Sequence, residues 1–317
     1  MSQLDRVTVL GAGVLGSQIA WHSAFKGKTV VVYDLASDSL DRCRAAHEQY
    51  ASIYLSQLGA QPEDIAGTRE RLTYTTDLES AVAAPDLVIE AVPEIPEVKT
   101  DVYEKVSGLL PEHTLLATNS STLLPSDFAA ATGRPEKFCA LHFANLIWTM
   151  NVVEVMAHSG TAIDTLTQVT EYAIEIGMVP VPVQKEQNGY VLNTWLVPLL
   201  NAAQTLVTNG VSTPEDVDRT FLIANRGCAL GPMGMVDVIG MKTAFDVLAY
   251  WGTRSGDQQM LDNAAYLKKV FLDGGKLGMH SGQGYYSYPD PAYARPDFLA
   301  APDKSAVPGI VERATLS

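Results

Sequence analysis

Cysteine is scarce: Cys43, Cys139 and Cys228 are the three in 317 residues. They lie far apart and in no C-x-x-C pattern, which argues against a disulfide framework and against a zinc site built on thiolates. Basic residues are few as well. Lys and Arg number 22 against 36 Asp and Glu, a formal net charge of −14. That sign disfavours nonspecific attraction to nucleic acid or to an anionic membrane surface. No stretch reaches the roughly 18–20 apolar residues that a membrane helix needs. No basic segment followed by an apolar one opens the chain, where MSQLDRVTVLGAG enters a strand directly. The expectation is a soluble cytoplasmic protein. With 47% hydrophobic residues the chain has material for a large core, and its length suggests about two domains.

The first half alternates strand and helix signals. RVTVL (Arg6–Leu10) and TVVVY (Thr29–Tyr33) are short β-branched runs without polar alternation, as expected of strands covered on both faces. Between them Leu15–Lys26 reads as a helix stopped by Gly27. Asp86–Val92, Thr114–Thr118, Phe138–Phe143 and Asn151–Met156 read as further strands. Strands separated by helices imply an α/β fold of the Rossmann type, a doubly wound and mostly parallel sheet. After Val183 the pattern becomes helical. Asn188–Thr208 is long and apolar, with a bend expected at Pro198 and an end at Gly210. STPED (Ser212–Asp216) is a helix start, with Thr213 as N-cap, Pro214 at the first position and Asp216 closing a capping box. Another helix is expected near Pro232. The chain thus divides into a nucleotide-binding domain (1–184), an all-helical domain (185–290) and a loosely ordered tail (291–317), with the boundary in the proline-containing Met178–Gly189.

VTVLGAGVLG places Gly11, Gly13 and Gly16 in G-x-G-x-x-G spacing between a strand and a helix. Gly11 makes the tight turn, Gly13 leaves room for a pyrophosphate, and Gly16 lets helix and strand pack closely. The helix N-terminus then faces phosphate charge. The second strand ends at Asp34, eighteen residues beyond Gly16. A carboxylate there accepts hydrogen bonds from both ribose hydroxyls and repels a 2′-phosphate, so NAD is expected rather than NADP.

ALHFANLIWTMNVVEVM (Ala140–Met156) sets one histidine, His142, and one carboxylate, Glu154, in apolar surroundings. His142 falls at the end of an expected strand, where ligands sit in doubly wound folds. An imidazole exchanges protons near neutral pH, and a carboxylate twelve residues on can fix its tautomer if NVVEVM returns as the neighbouring strand. A satisfied, half-buried histidine is the alternative reading.

Many short motifs in order make the chain resemble the short-chain L-3-hydroxyacyl-CoA dehydrogenase family, which includes 3-hydroxybutyryl-CoA dehydrogenases. They are GAGVLG (11–16), LVIEAVPE (87–94), ATNSSTL (117–123), LHFAN (141–145), VVEVM (152–156), GYVLN (189–193), GPMGMVDVIG (231–240) and KLGMHSGQGYY (276–286). The resemblance implies that His142 is the catalytic base and Glu154 its partner. It implies that Ser121 and Asn193 hydrogen-bond the reacting oxygen, and that Glu94, Lys99 and Asn145 line the cofactor site. On the residues alone, Ser121 and Asn193 could simply cap helices, and Lys99 could be a solvated surface lysine. The resemblance further implies reversible NAD-linked oxidation of a 3-hydroxyacyl to a 3-ketoacyl group, a place in fatty-acid metabolism, and a homodimer formed through the helical domain. The apolar Trp195–Leu200 suits either that interface or the core.

Departures from the family pattern point at the substrate. Where the family reads H-F-F-N-P, this chain reads His142-Phe143-Ala144-Asn145-Leu146, with Trp148 close behind, so a reshaped acyl pocket is expected. His280 stands where the family has lysine. Residues 45–67, the excursion that meets CoA phosphates in CoA-using relatives, contain no Lys or Arg and carry Glu48, Glu63 and Asp64; Arg42, Arg44, Arg69 and Arg71 flank them. These features resemble a diketoreductase-like branch that reduces CoA-free keto esters and diketones. A non-catalytic NAD-binding structural protein is the remaining alternative. The presence together of Ser121, His142, Glu154 and Asn193 argues against it.

Overall fold

The computed structural model describes residues 4–212, 214–227, 232–298 and 300–315. Thr213, Cys228 and Gly231, named above, lie outside these. Two compact units form, one from residues 1–202 with 301–317 and one from 203–300.

The first unit is built on a single sheet. Its strands are β1 (Arg6–Leu10), β2 (Thr29–Tyr33), β3 (Leu72–Thr75), β4 (Leu87–Glu90), β5 (Leu115–Thr118), β6 (Phe138–Phe143), β7 (Val152–Met156) and β8 (Val179–Val183). They lie in the order β3-β2-β1-β4-β5-β6-β7-β8, parallel throughout except for the antiparallel β6–β7 pair. Helices α1 (Val14–Phe25), α2 (Ser37–Gln57), α3 (Pro62–Glu70), α4 (Leu78–Ala81), α5 (Pro96–Ser107) and α6 (Ile163–Glu175) join the strands. Strand order reverses between β1 and β4. The crevice beyond their carboxyl ends is where a doubly wound fold binds its ligand. The central strands are apolar on both faces because helices cover both, and β4, β5 and β6 are buried along their whole length.

Two strands escaped the sequence reading. β3 (LTYT) is short and only half-buried. β8 (VPVPV) occupies the stretch read as a domain boundary. Its prolines are tolerated because β8 is an edge strand, paired with β7 alone. The expected loose tail is also corrected. Residues 307–314 form α12 (Val307–Ala314), whose Val307, Val311 and Ala314 join the main core. Lys304, just before it, pairs with Glu175 of α6 at 2.5 Å.

Beyond β8 the chain is helical: α7 (Leu192–Thr208, with Pro198 inside it), α8 (Pro214–Ala224), α9 (Pro232–Ile239), α10 (Met241–Ser255) and α11 (Gln258–Val270), numbered ahead of α12. α7 starts four residues later than expected, because Gly189 and Tyr190 both take positive φ and break the helical path. In the second unit the Asp237 carboxylate is fully buried. It accepts the Tyr285 and Tyr286 amides and the Tyr288 hydroxyl, fixing the turn that follows α11.

Candidate active site

The glycine loop sits in the β1/β4 crevice. Gly11 has φ +109°, and a side chain on it would meet the Ala91 carbonyl oxygen at 2.5 Å. A side chain on Gly16 would meet the Gly11 carbonyl oxygen at 2.0 Å. These two glycines are demanded by the chain's own packing. A side chain on Gly13 would meet nothing within 4 Å, so that glycine leaves open the space in front of α1, whose first turn carries no side-chain cap. At the end of β2, Asp34 accepts the Ala12 and Ala36 amides, both at 3.0 Å, which fixes its carboxylate beside the loop. Gly11, Gly13, Ser17, Asp34, Arg42 and Tyr50 are among the residues lining a cleft of about 750 Å³. Free helix-start amides for a pyrophosphate and a carboxylate for ribose hydroxyls fit a dinucleotide.

Across the sheet, the β6–β7 register sets His142 directly opposite Glu154. Antiparallel pairing puts their side chains on one face, and His142 Nδ1 lies 2.8 Å from Glu154 Oε2. Both residues are buried. The second carboxylate oxygen accepts the Val191 and Leu192 amides, at 2.8 and 2.9 Å, at the start of α7. Glu154 is thus held on both oxygens, by an imidazole and by a helix N-terminus whose dipole favours its charge. The Tyr190 ring packs at 4.9 Å from the imidazole.

Ser121 lies in the loop after β5, and Glu94 gathers that loop. Its Oε1 accepts the Ser120 hydroxyl (2.5 Å), the Ser121 and Thr122 amides (both 2.9 Å) and the Thr122 hydroxyl (2.9 Å), while Lys99 Nζ lies 3.2 Å from its other oxygen. Burial opposes ionisation of Glu94. The Ser120 hydroxyl, Lys99 and Thr122 outweigh it and hold the carboxyl down at about 2. Asn193, in the first turn of α7, donates from Nδ2 to the Ser121 carbonyl at 3.4 Å, so the two residues adjoin. Neither caps a helix through its side chain in the described structure.

Lys99 is not a solvated surface lysine. At 1% exposure it turns inward and donates to Glu90 Oε1 at 2.7 Å. The other oxygen of Glu90 accepts Tyr103 (2.5 Å) and Thr118 (2.8 Å). Asn145 is exposed in the turn after β6. The sequence reading missed Glu90, Tyr103 and Thr118, and also Asn119, which accepts the Phe143 amide at 2.8 Å and ties the Ser121 loop to the strand of His142. The signal for Glu90 was present: a carboxylate in an apolar strand, the same signal that singled out Glu154.

A family model described as 3-hydroxyacyl-CoA dehydrogenase, NAD binding domain, matches residues 6–187, and one described as the C-terminal domain of the same enzyme matches residues 189–288. The chain belongs to the 3-hydroxyacyl-CoA dehydrogenase family. It is therefore an NAD-dependent oxidoreductase acting on a CH–OH group, and the glycine loop lies within the part of the chain that the NAD-binding model matches. A probable 3-hydroxybutyryl-CoA dehydrogenase of Deinococcus radiodurans is 33% identical over 88% of this chain and 99% of its own. A solved (S)-3-hydroxybutyryl-CoA dehydrogenase of Ralstonia eutropha is 27% identical, with a TM-score of 0.64 over 91% of this chain and all of its own. A solved diketoreductase, described as acting on dicarbonyl compounds, is 44% identical, with a TM-score of 0.65 and the same coverage.

Two departures from the 3-hydroxyacyl-CoA dehydrogenase pattern have a place in the structure. Trp148 packs in the aromatic cluster of α1 and α2, with ring centroids 5.1 Å from Tyr50 and 6.1 Å from Tyr54. Of the arginines flanking residues 45–67, Arg69 is paired with Glu48 (2.5 Å), Arg44 with Asp41 (2.7 Å), and Arg42 lines the glycine-loop cleft.

Proposed function

We propose that the chain interconverts a 3-hydroxyacyl and a 3-ketoacyl group, with His142 as the proton-exchanging residue and Glu154 as its orienting partner. The observation that carries this is the buried, directly opposed His142–Glu154 pair. With Nδ1 donating to the carboxylate, Nε2 keeps its lone pair free to take the hydroxyl proton. The imidazolium so formed is neutralised by Glu154 in a site that excludes water, where that attraction is strong. The chemistry supplied by bound NAD is hydride acceptance from the carbinol carbon. The loop shaped by Gly11 and Gly16, with the space left at Gly13, would hold the pyrophosphate, and Asp34 would hold the ribose. Ser121 and Asn193 donate to the reacting oxygen, where negative charge grows during reduction. Glu94 acts on the cofactor side through the 120–123 loop that it gathers.

The acyl group carries CoA in the first reading. A second reading, the same chemistry on CoA-free 3-keto or 3,5-diketo esters, is favoured by a specific observation. The excursion that would meet CoA phosphates has no Lys or Arg between 45 and 67, and two of its flanking arginines are already neutralised. The likeness to a diketoreductase supports the same reading. A homodimer through the helical unit, whose Phe221, Ile223, Val238 and Ile239 are exposed, and a cytoplasmic, metal-independent enzyme complete the proposal.

Initial rates of NADH oxidation with acetoacetyl-CoA and with a CoA-free 3-keto ester test it. Turnover of one or both is expected, with at least about a 1,000-fold loss in His142→Ala. A kcat/KM in favour of acetoacetyl-CoA would reject the CoA-free reading. Undiminished turnover in His142→Ala would reject the role of His142.

A further inference from the structure

Among the described residues, two that are not glycine stand at positive φ: Leu146 (+59°) and Tyr190 (+54°). They flank the His142–Glu154 pair. Tyr190 is held by what surrounds it, its ring on His142 and the next two amides on Glu154. Leu146 is not held by its own side chain, which is 49% exposed. A branched residue in the left-handed region is unfavourable and persists only where its surroundings impose it.

The constraint comes from the cofactor helix. Gln18 of α1 is 4% exposed, and its Oε1 accepts the Leu146 amide at 2.7 Å and lies 3.4 Å from the Ile147 amide. The turn then closes on itself, with the Thr149 and Met150 amides both donating to the Leu146 carbonyl at 2.8 Å. Ile147 is fully buried in the main core, and Trp148 sits on Tyr50 and Tyr54. Gln18 follows Ser17, whose hydroxyl is 3.1 Å from the Tyr50 hydroxyl, and Ser17 and Tyr50 both line the glycine-loop cleft. Proline could not serve at 146, since it fixes φ near −65° and has no N–H to give Gln18. Leu146 and Gln18 are therefore one device, and it gives the turn after His142 a path closed to the H-F-F-N-P pattern.

We propose that Gln18 is a positioning residue for the reaction. It locks the β6–β7 turn onto the helix that starts at the NAD loop, and so sets where Asn145 and Leu146 stand beside the substrate. This rests on the reading of His142 as the proton-exchanging group.

The test pairs kinetics with amide hydrogen exchange of the peptide spanning 143–150. In Gln18→Met, which keeps the bulk and loses the acceptor, exchange of that peptide is expected to quicken at least about tenfold. The KM for the keto substrate is expected to rise about tenfold, with the KM for NADH within about twofold. Gln18→Glu, which keeps an acceptor oxygen, is expected to restore both. In a Leu146→Pro background, which has no amide to accept, Gln18→Met is expected to cost nothing further. Leu146→Gly keeps the N–H and relaxes the φ, so it is expected to keep the wild-type exchange pattern; if Leu146→Pro does not fold, Gln18→Met in the Leu146→Gly background is expected to quicken exchange as in the wild type, because the amide is still there to lose its acceptor. Unchanged exchange in Gln18→Met overturns the proposal. So does a loss confined to kcat with both KM values unchanged, or an equal loss in the wild-type and Leu146→Pro backgrounds. If the wild type turns over no 3-keto substrate, the reading of His142 fails, while the exchange measurement still decides whether Gln18 holds the turn.

Discussion

At the scale of single residues, the site rests on a few polar atoms placed where nothing else would tolerate them. A carboxylate inside an apolar strand is costly without partners. Glu154 has three hydrogen bonds, and Glu90, deeper still, has four. Sequence shows that such a group needs partners but not which ones. His142 was legible as the partner of Glu154 because both lie on strands and a returning strand sets them opposite. Lys99 as the partner of Glu90 was not, because a lysine in a sequence carries no sign of burial. Asp34 carries a prediction of its own. Its charge disfavours a 2′-phosphate, so Asp34→Ser is expected to narrow the preference for NADH over NADPH in kcat/KM by at least about tenfold. A preference unchanged by the substitution would mean that other groups make the choice.

At the scale of elements, periodicity and composition revealed the buried strands and α1 almost to the residue. They failed where an element is an edge. β8 reads as a linker because its prolines forbid a central strand, and only its place at the sheet edge admits them. α12 reads as a tail because Pro and Ala precede it, yet its apolar residues recur at helical spacing and cover the core beside α6 and β8. Val311 tests this. It is buried within the main cluster, so Val311→Asp leaves an unpaired charge there and is expected to cost about 3 kcal/mol or more, read as a lower urea midpoint. In a loose tail the same change would leave the midpoint where it was.

At the scale of the whole molecule, stability is tied to pH through two buried histidines, His22 and His47. His22 bridges Tyr54 and the Ile176 carbonyl, and His47 bridges Tyr74 and the Ser17 carbonyl. Burial pushes both from the ordinary 6.5 down to about 4, against the opposing pull of those carbonyls. The unfolded chain therefore takes up two protons near pH 6.5 that the folded chain refuses until about 4. This stability is full above 6.5, falls as the pH drops from 6.5 to 4, and is lost below. It is on the order of 3 kcal/mol for each histidine. Urea midpoints at pH 7.5 and pH 5 are expected to differ accordingly, with a smaller gap in a His22→Gln/His47→Gln variant. Equal midpoints in the wild type would show that these rings titrate normally when folded.

The fold and reaction class were legible because the glycine loop, the paired strands and the family motifs lie in local stretches of chain. The hold of Glu94 on the Ser121 loop, the Lys99–Glu90 pair and the Gln18–Leu146 contact were not, because each joins residues that only the tertiary fold brings together. The proposed reaction rests on the His142–Glu154 pair, and the kcat of Glu154→Gln tests it most directly. The glutamine oxygen can still accept the Val191 and Leu192 amides, so the fold and NADH binding are expected to survive. Its NH₂ would then face His142 Nδ1 and force the tautomer whose Nε2 already carries a proton. A loss in kcat of at least about 100-fold, with NADH affinity within twofold, is expected. A kcat within threefold of wild type would contradict the assignment of Glu154 as the group that sets the histidine for proton transfer.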